Sequence, residues 1–74
     1  MRAVCPKHRR ALGEAIRSHR KQARLSQEKL AERAELHPVY ISAVERGVKT
    51  ISVDSLLRLA RALGTAIKEL FEGV

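Results

Sequence analysis

The sequence predicts an all-α protein, a compact bundle of five short helices. Apolar residues recur at intervals of three and four along most of the 74 residues, which is the spacing of one helix face. Two glycines, Gly47 and Gly64, follow such segments at the position where a left-handed residue ends a helix. With one Phe, one Tyr and no Trp, the core must consist mainly of aliphatic side chains. We therefore expect a single domain without strands.

The first two helices are predicted at residues 7–23 and 27–34. In the first, apolar side chains fall at helical spacing and basic residues occupy most other positions. The second follows Ser26, a favourable N-cap residue, with Leu25 and Leu30 placed to contact each other across the cap. Each helix would therefore bury one face.

The third helix is predicted to begin at Pro38, because proline's missing N–H costs nothing at the first helical position. His37 then takes the N-cap place. Ile41 and Val44 form the inward pair of this helix, and Gly47 ends it. Only a tight turn separates this helix from the second one.

The last two helices are predicted from another cap and another glycine. Ser52 can cap a fourth helix that Gly64 ends, and a short fifth helix begins near Ala66. The core side chains expected from these two helices are Leu56, Leu59, Ala60, Leu63, Ile67, Leu70 and Phe71.

Basic residues are concentrated at the N-terminal end. The chain has a net charge of +7, and residues 1–24 carry eight of its fifteen Lys and Arg but one of its eight acids. Such a one-sided basic surface attracts polyanions, with DNA, RNA and acidic membrane as the candidates, whereas the alternative is a short domain that is basic for solubility alone. We expect a basic arm over residues 1–7, either disordered or reaching into a minor groove, and a folded domain over residues 8–74.

Several classes of protein are disfavoured by the composition. One cysteine, Cys5, cannot form an internal disulfide, and no apolar run approaches the roughly 20 residues that span a bilayer. The three histidines, His8, His19 and His37, lack the spacing of metal ligands. No nucleophile–base pattern or phosphate-cradling glycine loop is present. We expect a cytoplasmic protein that is not an enzyme, with no cofactor, metal, membrane association or small-molecule substrate.

Four segments resemble the helix-turn-helix domain of the lambdoid phage repressors and Cro proteins, the Cro/C1-type or XRE-like family. They are Arg17-Ser18-His19-Arg20, Leu25-Ser26-Gln27-Glu28-Lys29-Leu30-Ala31, Tyr40-Ile41-Ser42-Ala43-Val44-Glu45-Arg46-Gly47 and Leu56-Leu57-Arg58-Leu59-Ala60-Arg61-Ala62-Leu63-Gly64. The resemblance implies a lambda-repressor-like DNA-binding domain and a transcription regulator, repressor or activator. The third segment, with the Ile51-Ser52 that follows, is also similar to the controller proteins of restriction–modification systems.

Arg20 and Glu45 are charged residues on faces that should pack inward. In the resembled family, a basic residue of the first helix pairs with the acid at the end of the third. A buried charge needs such a partner, because an unpaired one costs about 3–5 kcal/mol. We therefore predict a structural ion pair, the alternative being two solvated charges.

The third helix is the candidate recognition helix, the helix that enters the major groove. Its predicted base-reading residues are Pro38, Val39, Ser42, Ala43 and Arg46. The family often has hydrogen-bonding side chains at the first, second and fourth of these positions, whereas this chain has small apolar ones, which read little beyond thymine methyls. Shape and deformability of the DNA should then carry part of the specificity. Pro38 could instead be only a helix starter, and Arg46, at the helix end, could prefer a phosphate.

Phosphate contacts are expected around this helix. Gln27, at the start of the second helix, would face the DNA backbone together with that helix's N-terminus. The resemblance adds Tyr40, Lys49 and Thr50, while Arg24 and Lys29 are flanking candidates. Each basic residue could alternatively be a solvated surface charge.

The C-terminal segment has more apolar residues than one short helix can bury against its own domain. The candidate dimer-interface residues are Leu63, Ile67, Leu70, Phe71 and Val74. We also expect Leu70 and Phe71 to close the core of the single chain, which is the alternative to a role at an interface. Family members commonly dimerise here, which predicts a homodimer that reads palindromic double-stranded DNA.

A second function remains open at the level of sequence. The chain could be the antitoxin of a toxin–antitoxin pair, with a C-terminal surface that binds a different protein. A basic helix on an anionic membrane is disfavoured because the first helix already packs its apolar face inward. RNA binding is disfavoured because a single Tyr provides no stacking platform.

Overall fold

The computed structural model describes residues 6–72, and their helices confirm the all-α prediction. In chain order these are α1 (Pro6–Gln22), α2 (Gln27–Ala34), α3 (Pro38–Glu45), α4 (Val53–Leu63) and α5 (Ile67–Leu70). No strand occurs within this described range. Helix α1 includes the last two residues of the predicted arm, and residues 1–5 lie outside the described part of the chain. In residues 6–72, no helix combines the length and the apolarity needed to cross a bilayer.

Side-chain caps begin three of the helices where the sequence predicts them. The Ser26 hydroxyl accepts a hydrogen bond from the Lys29 N–H at 3.0 Å before α2. His37 Nδ1 accepts one from the Val39 N–H at 3.1 Å, with Pro38 following in the first turn of α3. The Ser52 hydroxyl does the same for α4. These bonds satisfy backbone donors that have no partner inside the helix.

Helices α1 and α2 end at left-handed residues that are not glycine. Arg24 has φ 61° and Glu35 has φ 59°, whereas Gly47 and Gly64 take the same region after α3 and α4. At the end of α2 the Leu36 N–H donates to the Ala31 carbonyl at 2.8 Å, which closes the turn before α3. A side chain in this region costs about 1–2 kcal/mol. The two ends without glycine therefore depend on the hydrogen bonds and packing around them.

The core is formed by aliphatic side chains from every helix. Helix α2 lies between α3 and α4, while α1 crosses α3 and α5 closes the end of the bundle. The buried core residues are Ile16, Leu25, Leu30, Ala31, Ala34, Ile41, Val44, Leu56, Leu59, Ala60 and Leu70. Leu70 is 0% exposed, so its prediction as a dimer-interface residue is wrong: it faces the interior of its own domain.

Two glycines allow the backbone of α1 to lie directly against the end of α3. A Cβ on Gly13 would lie 2.6 Å from the carbonyl oxygen of Glu45 and closer still to that of Val44. A Cβ on Gly47 would lie 2.9 Å from the Cα of Arg10. Because real Cβ atoms do not approach backbone this closely, these positions fix how α1 and α3 cross.

Candidate nucleic-acid interface

The two charged residues predicted to face inward, Arg20 and Glu45, form a bidentate ion pair. Arg20 Nε lies 2.7 Å from Glu45 Oε2, and Nη2 lies 3.1 Å from Oε1. The residues are 8% and 7% exposed. Arg20 Nη1 also donates to the Leu25 carbonyl at 2.8 Å. This parallel geometry suits arginine, whose planar fork matches a carboxylate.

A third side chain joins this pair. Gln27 Nε2 donates to Glu45 Oε1 at 2.9 Å, so the carboxylate receives three hydrogen bonds. The network connects α1 through Arg20, the start of α2 through Gln27 and the end of α3 through Glu45. Because every one of these groups has a fixed partner, the network sets the orientation of α3 relative to the two preceding helices.

The predicted base-reading residues lie on the outer side of α3. Val39 is 68% exposed, and Arg46 is also exposed. Pro38, Ser42 and Ala43 are half-buried. None of these five side chains belongs to the hydrophobic core. The outer side of α3 is therefore accessible from solvent.

This outer side divides into a polar and an apolar half. On one side Ser42 and Arg46 line a depression of about 240 Å³ together with Gln27 and Arg17. On the other side Val39 and Ala43 line an open depression, whose remaining walls are formed by His37, Tyr40 and Lys49. One helix thus presents two chemically different surfaces.

Arg17 is a candidate contact residue that sequence reasoning missed. It is exposed and lines the polar depression together with Arg46. A signal was available, because Arg17 precedes Arg20 by three residues and therefore lies one turn away on the same side of α1. Once Arg20 is paired with Glu45, Arg17 must lie near the end of α3. Arg17 of α1 and Arg46, at the end of α3, thus line the same depression as Ser42.

The predicted phosphate-contacting residues surround α3 but differ in their exposure and in the protein contacts they already make. Lys49, Thr50 and Arg24 are exposed. Lys29 is exposed and its Nζ lies 3.3 Å from Glu32 Oε1, so an acid shares its charge. The two remaining candidates, Gln27 and Tyr40, are half-buried. The first is held by Glu45, and the second packs against the core.

The predicted dimer-interface residues differ in their exposure. Phe71 is 44% exposed, Leu63 and Ile67 are half-buried, and Val74 lies outside the described residues. Sequence reasoning missed Val53, which is 72% exposed at the start of α4.

An apolar cleft lies between the first part of α1, the loop before α4 and the start of α4, with Phe71 also in its lining. Its apolar lining includes Leu12, Ile51, Val53, Leu56 and Phe71. Leu57, on α4, is a further large exposed apolar side chain at 43% exposure. Large apolar side chains left exposed in this way are typical of an interface with another protein. Within residues 6–72, no group of three or more His, Cys, Asp or Glu side chains is arranged to hold a metal.

Comparison with known proteins gives a consistent result. A family model described as "Helix-turn-helix" matches residues 16–70. Control protein C.BamHI of Bacillus amyloliquefaciens is 39% identical over 61 residues, which cover 81% of this chain and 75% of that protein. Control protein C.SmaI of Serratia marcescens is 44% identical over 59 residues, which cover 80% and 70% respectively.

A solved structure shows the same arrangement of helices. The restriction-modification controller protein C.AhdI from Aeromonas hydrophila superimposes with a TM-score of 0.84 at 38% sequence identity. The match covers 85% of this chain and 96% of that one. The chain is thus homologous to restriction-modification controller proteins along most of its length.

Proposed function

This chain belongs to the helix-turn-helix family of DNA-binding transcription regulators, and on that premise we propose that it acts as a homodimer on a palindromic operator. Its similarity to several restriction-modification controller proteins supports a further step: it regulates the genes of such a system, its own included. It would act in the cytoplasm without catalysing a reaction. Helix α3 would enter the major groove of each half-site.

The observation that carries this proposal is the exposed outer side of α3 beside two cationic side chains. Arg17 and Arg46 line the depression that also contains Ser42. A helix placed in the major groove needs such flanking cations, because it brings the protein close to both phosphate backbones. The net charge of +7 favours the same polyanionic partner.

The contacts divide by chemistry. We assign base contacts to the outer side of α3, with Ser42 able to hydrogen-bond to several bases. Arg17 and Arg46 are assigned to phosphates or, for Arg46, to a guanine. A phosphodiester group carries no hydrogen to donate, so Gln27 must contact it through the N–H groups of its side-chain amide. One of these N–H groups already donates to Glu45. The other predicted phosphate ligands of this interface are Arg24, Lys29, Tyr40, Lys49 and Thr50.

The proposed dimer uses the exposed apolar surface of α4 and α5. Val53 and Phe71 supply its most exposed large side chains, and we assign the half-buried Leu63 and Ile67 to the same interface. A two-fold axis through this surface would set the two α3 helices about 34 Å apart, one turn of DNA. A palindromic operator follows from that symmetry.

Selection of bound sites from a random DNA pool tests the proposal directly. We expect an enriched inverted repeat whose half-site centres are separated by about 10 base pairs or a multiple of this spacing. The mass of the free protein should correspond to two chains. Binding without any enriched sequence would contradict the proposed regulator. A single-chain mass with no operator would favour the antitoxin reading.

Replacement of Arg17 with glutamine should weaken binding to specific and random DNA alike. The change removes one charged hydrogen bond to a phosphate in each half-site, which is worth about tenfold in affinity per half-site and about a hundredfold for the dimer. The slope of log K against log salt should fall by about one for each half-site. Titrations at several salt concentrations measure both effects.

The matched control is Arg61→Gln, which removes the same charge from an exposed position on α4. It should leave the affinity within about twofold, because only long-range attraction is lost. A loss in the Arg17 variant confined to one operator sequence would instead mean that Arg17 reads bases.

A further inference from the structure

We infer that the apolar half of the outer side of α3 binds the C5-methyl group of a pyrimidine, thymine in the operator, and that Val39 is the residue that detects it. This inference rests on the proposed function and specifies which base feature the recognition helix reads.

Val39 is the first observation behind this inference. It is 68% exposed, and it lies four residues before Ala43, so the two side chains share one face of α3. Both line the open depression on this side of the helix. Exposing a β-branched apolar side chain contributes nothing to the fold, whereas covering it removes apolar surface from water. The depression is therefore suited to an apolar group of a ligand.

The surroundings of this depression limit what else it could bind. His37 forms one wall, and its Nδ1 already accepts the Val39 N–H at 3.1 Å. The Tyr40 and Lys49 side chains form the opposite walls. Valine and alanine side chains can neither donate nor accept a hydrogen bond. In the major groove the feature that matches such a surface is the C5-methyl group, which thymine carries and cytosine lacks.

The polar half of α3 does not compete for this role. Ser42 and Arg46 line the separate depression with Arg17 and Gln27. Hydrogen-bonded contacts can therefore form on one side of the helix while the methyl contact forms on the other. Since one buried methyl group changes an equilibrium constant about fourfold, two half-sites together should give about fifteenfold.

Thymine-to-deoxyuridine substitution in the selected operator tests this inference, because it removes only the methyl group. We expect one thymine per half-site whose replacement, made in both half-sites at once, weakens binding about fifteenfold. In the Val39→Ala protein the same replacement should change binding less than about threefold. The inference would be overturned by a selected operator in which no thymine is sensitive to loss of its methyl group. It would also be overturned if Val39→Ala left the ratio of the affinities for the thymine and uracil operators unchanged.

Two controls separate a methyl contact from other causes. Val48→Ala shortens another exposed valine, at 59% exposure in the loop after α3, and it should keep the full thymine-to-uracil ratio of affinities. An operator with cytosine at the sensitive position should bind more tightly when that cytosine is methylated at C5. No gain from this methylation would show that DNA flexibility causes the uracil effect. Failure to select any operator would contradict the proposed function itself, so the two failures are distinguishable.

Discussion

Replacement of Glu45 with alanine should lower the free energy of unfolding by about 3–5 kcal/mol, because Arg20 would keep its charge inside the domain without a partner. Both side chains of the pair are nearly inaccessible, at 10% and 3% exposure. The loss is comparable with the whole stability expected for a domain of this size, about 4–11 kcal/mol. Urea denaturation followed by circular dichroism measures this loss as a lower denaturation midpoint.

A double variant shows whether the loss comes from the stranded charge. Replacing both members of the pair, as Arg20→Met with Glu45→Met, removes the unpaired guanidinium together with its partner. It should recover much of the stability, since buried ion pairs are often no better than apolar side chains of similar volume. If Glu45→Ala costs less than about 1 kcal/mol, the pair is solvated and the network does not fix α3.

Replacement of Gly13 with alanine should destabilise the domain by about 2–3 kcal/mol, although helix propensity alone would predict a gain of about 1 kcal/mol. The new methyl group would meet the carbonyl oxygens of Val44 and Glu45. Backbone atoms cannot rotate away as a flexible side chain can, so α1 must move from the end of α3. The movement would also strain the Arg20–Glu45 pair. Chemical denaturation shows directly whether the free energy of unfolding falls or rises.

Ser18→Ala is the matched control for the glycine. Ser18 is exposed on the same helix, so an alanine there should show the propensity gain of a few tenths of a kcal/mol without any new contact. A gain in both variants would mean that α1 and α3 are further apart than the structure places them. Opposite signs support the close crossing of the two helices.

Much of the fold follows from local chemistry that the sequence displays. Ser26, Ser52 and Pro38 mark helix starts, and Gly47 and Gly64 mark helix ends, because caps act within a few residues. The structure places these helix boundaries within two residues of the prediction. Local chemistry did not predict the left-handed residues Arg24 and Glu35. Each lies in a helix end that is closed by a backbone hydrogen bond, from the Leu25 N–H to the Arg20 carbonyl and from the Leu36 N–H to the Ala31 carbonyl.

Contacts between distant segments were predictable only where a residue did not fit the apolar and polar faces of its helix. A charge on the inward side of a helix needs a partner, and this need pointed to Arg20 and Glu45. Gln27 was assigned to DNA alone, since an amide is unremarkable at the start of a helix. Gly13 gave no signal because the close approach of α3 depends on the three-dimensional crossing. Leu70 was misassigned because periodicity cannot separate a core side chain from an interface side chain.

The burial of Leu70 within its own subunit has a consequence for gene control. Because α5 already closes the interior of one chain, we expect a subunit without a partner to remain folded. On the proposed dimer model, single chains and pairs then exchange by mass action. While single chains predominate, the number of dimers rises with the square of the number of chains, so occupancy of the proposed operator would rise more steeply than the amount of protein.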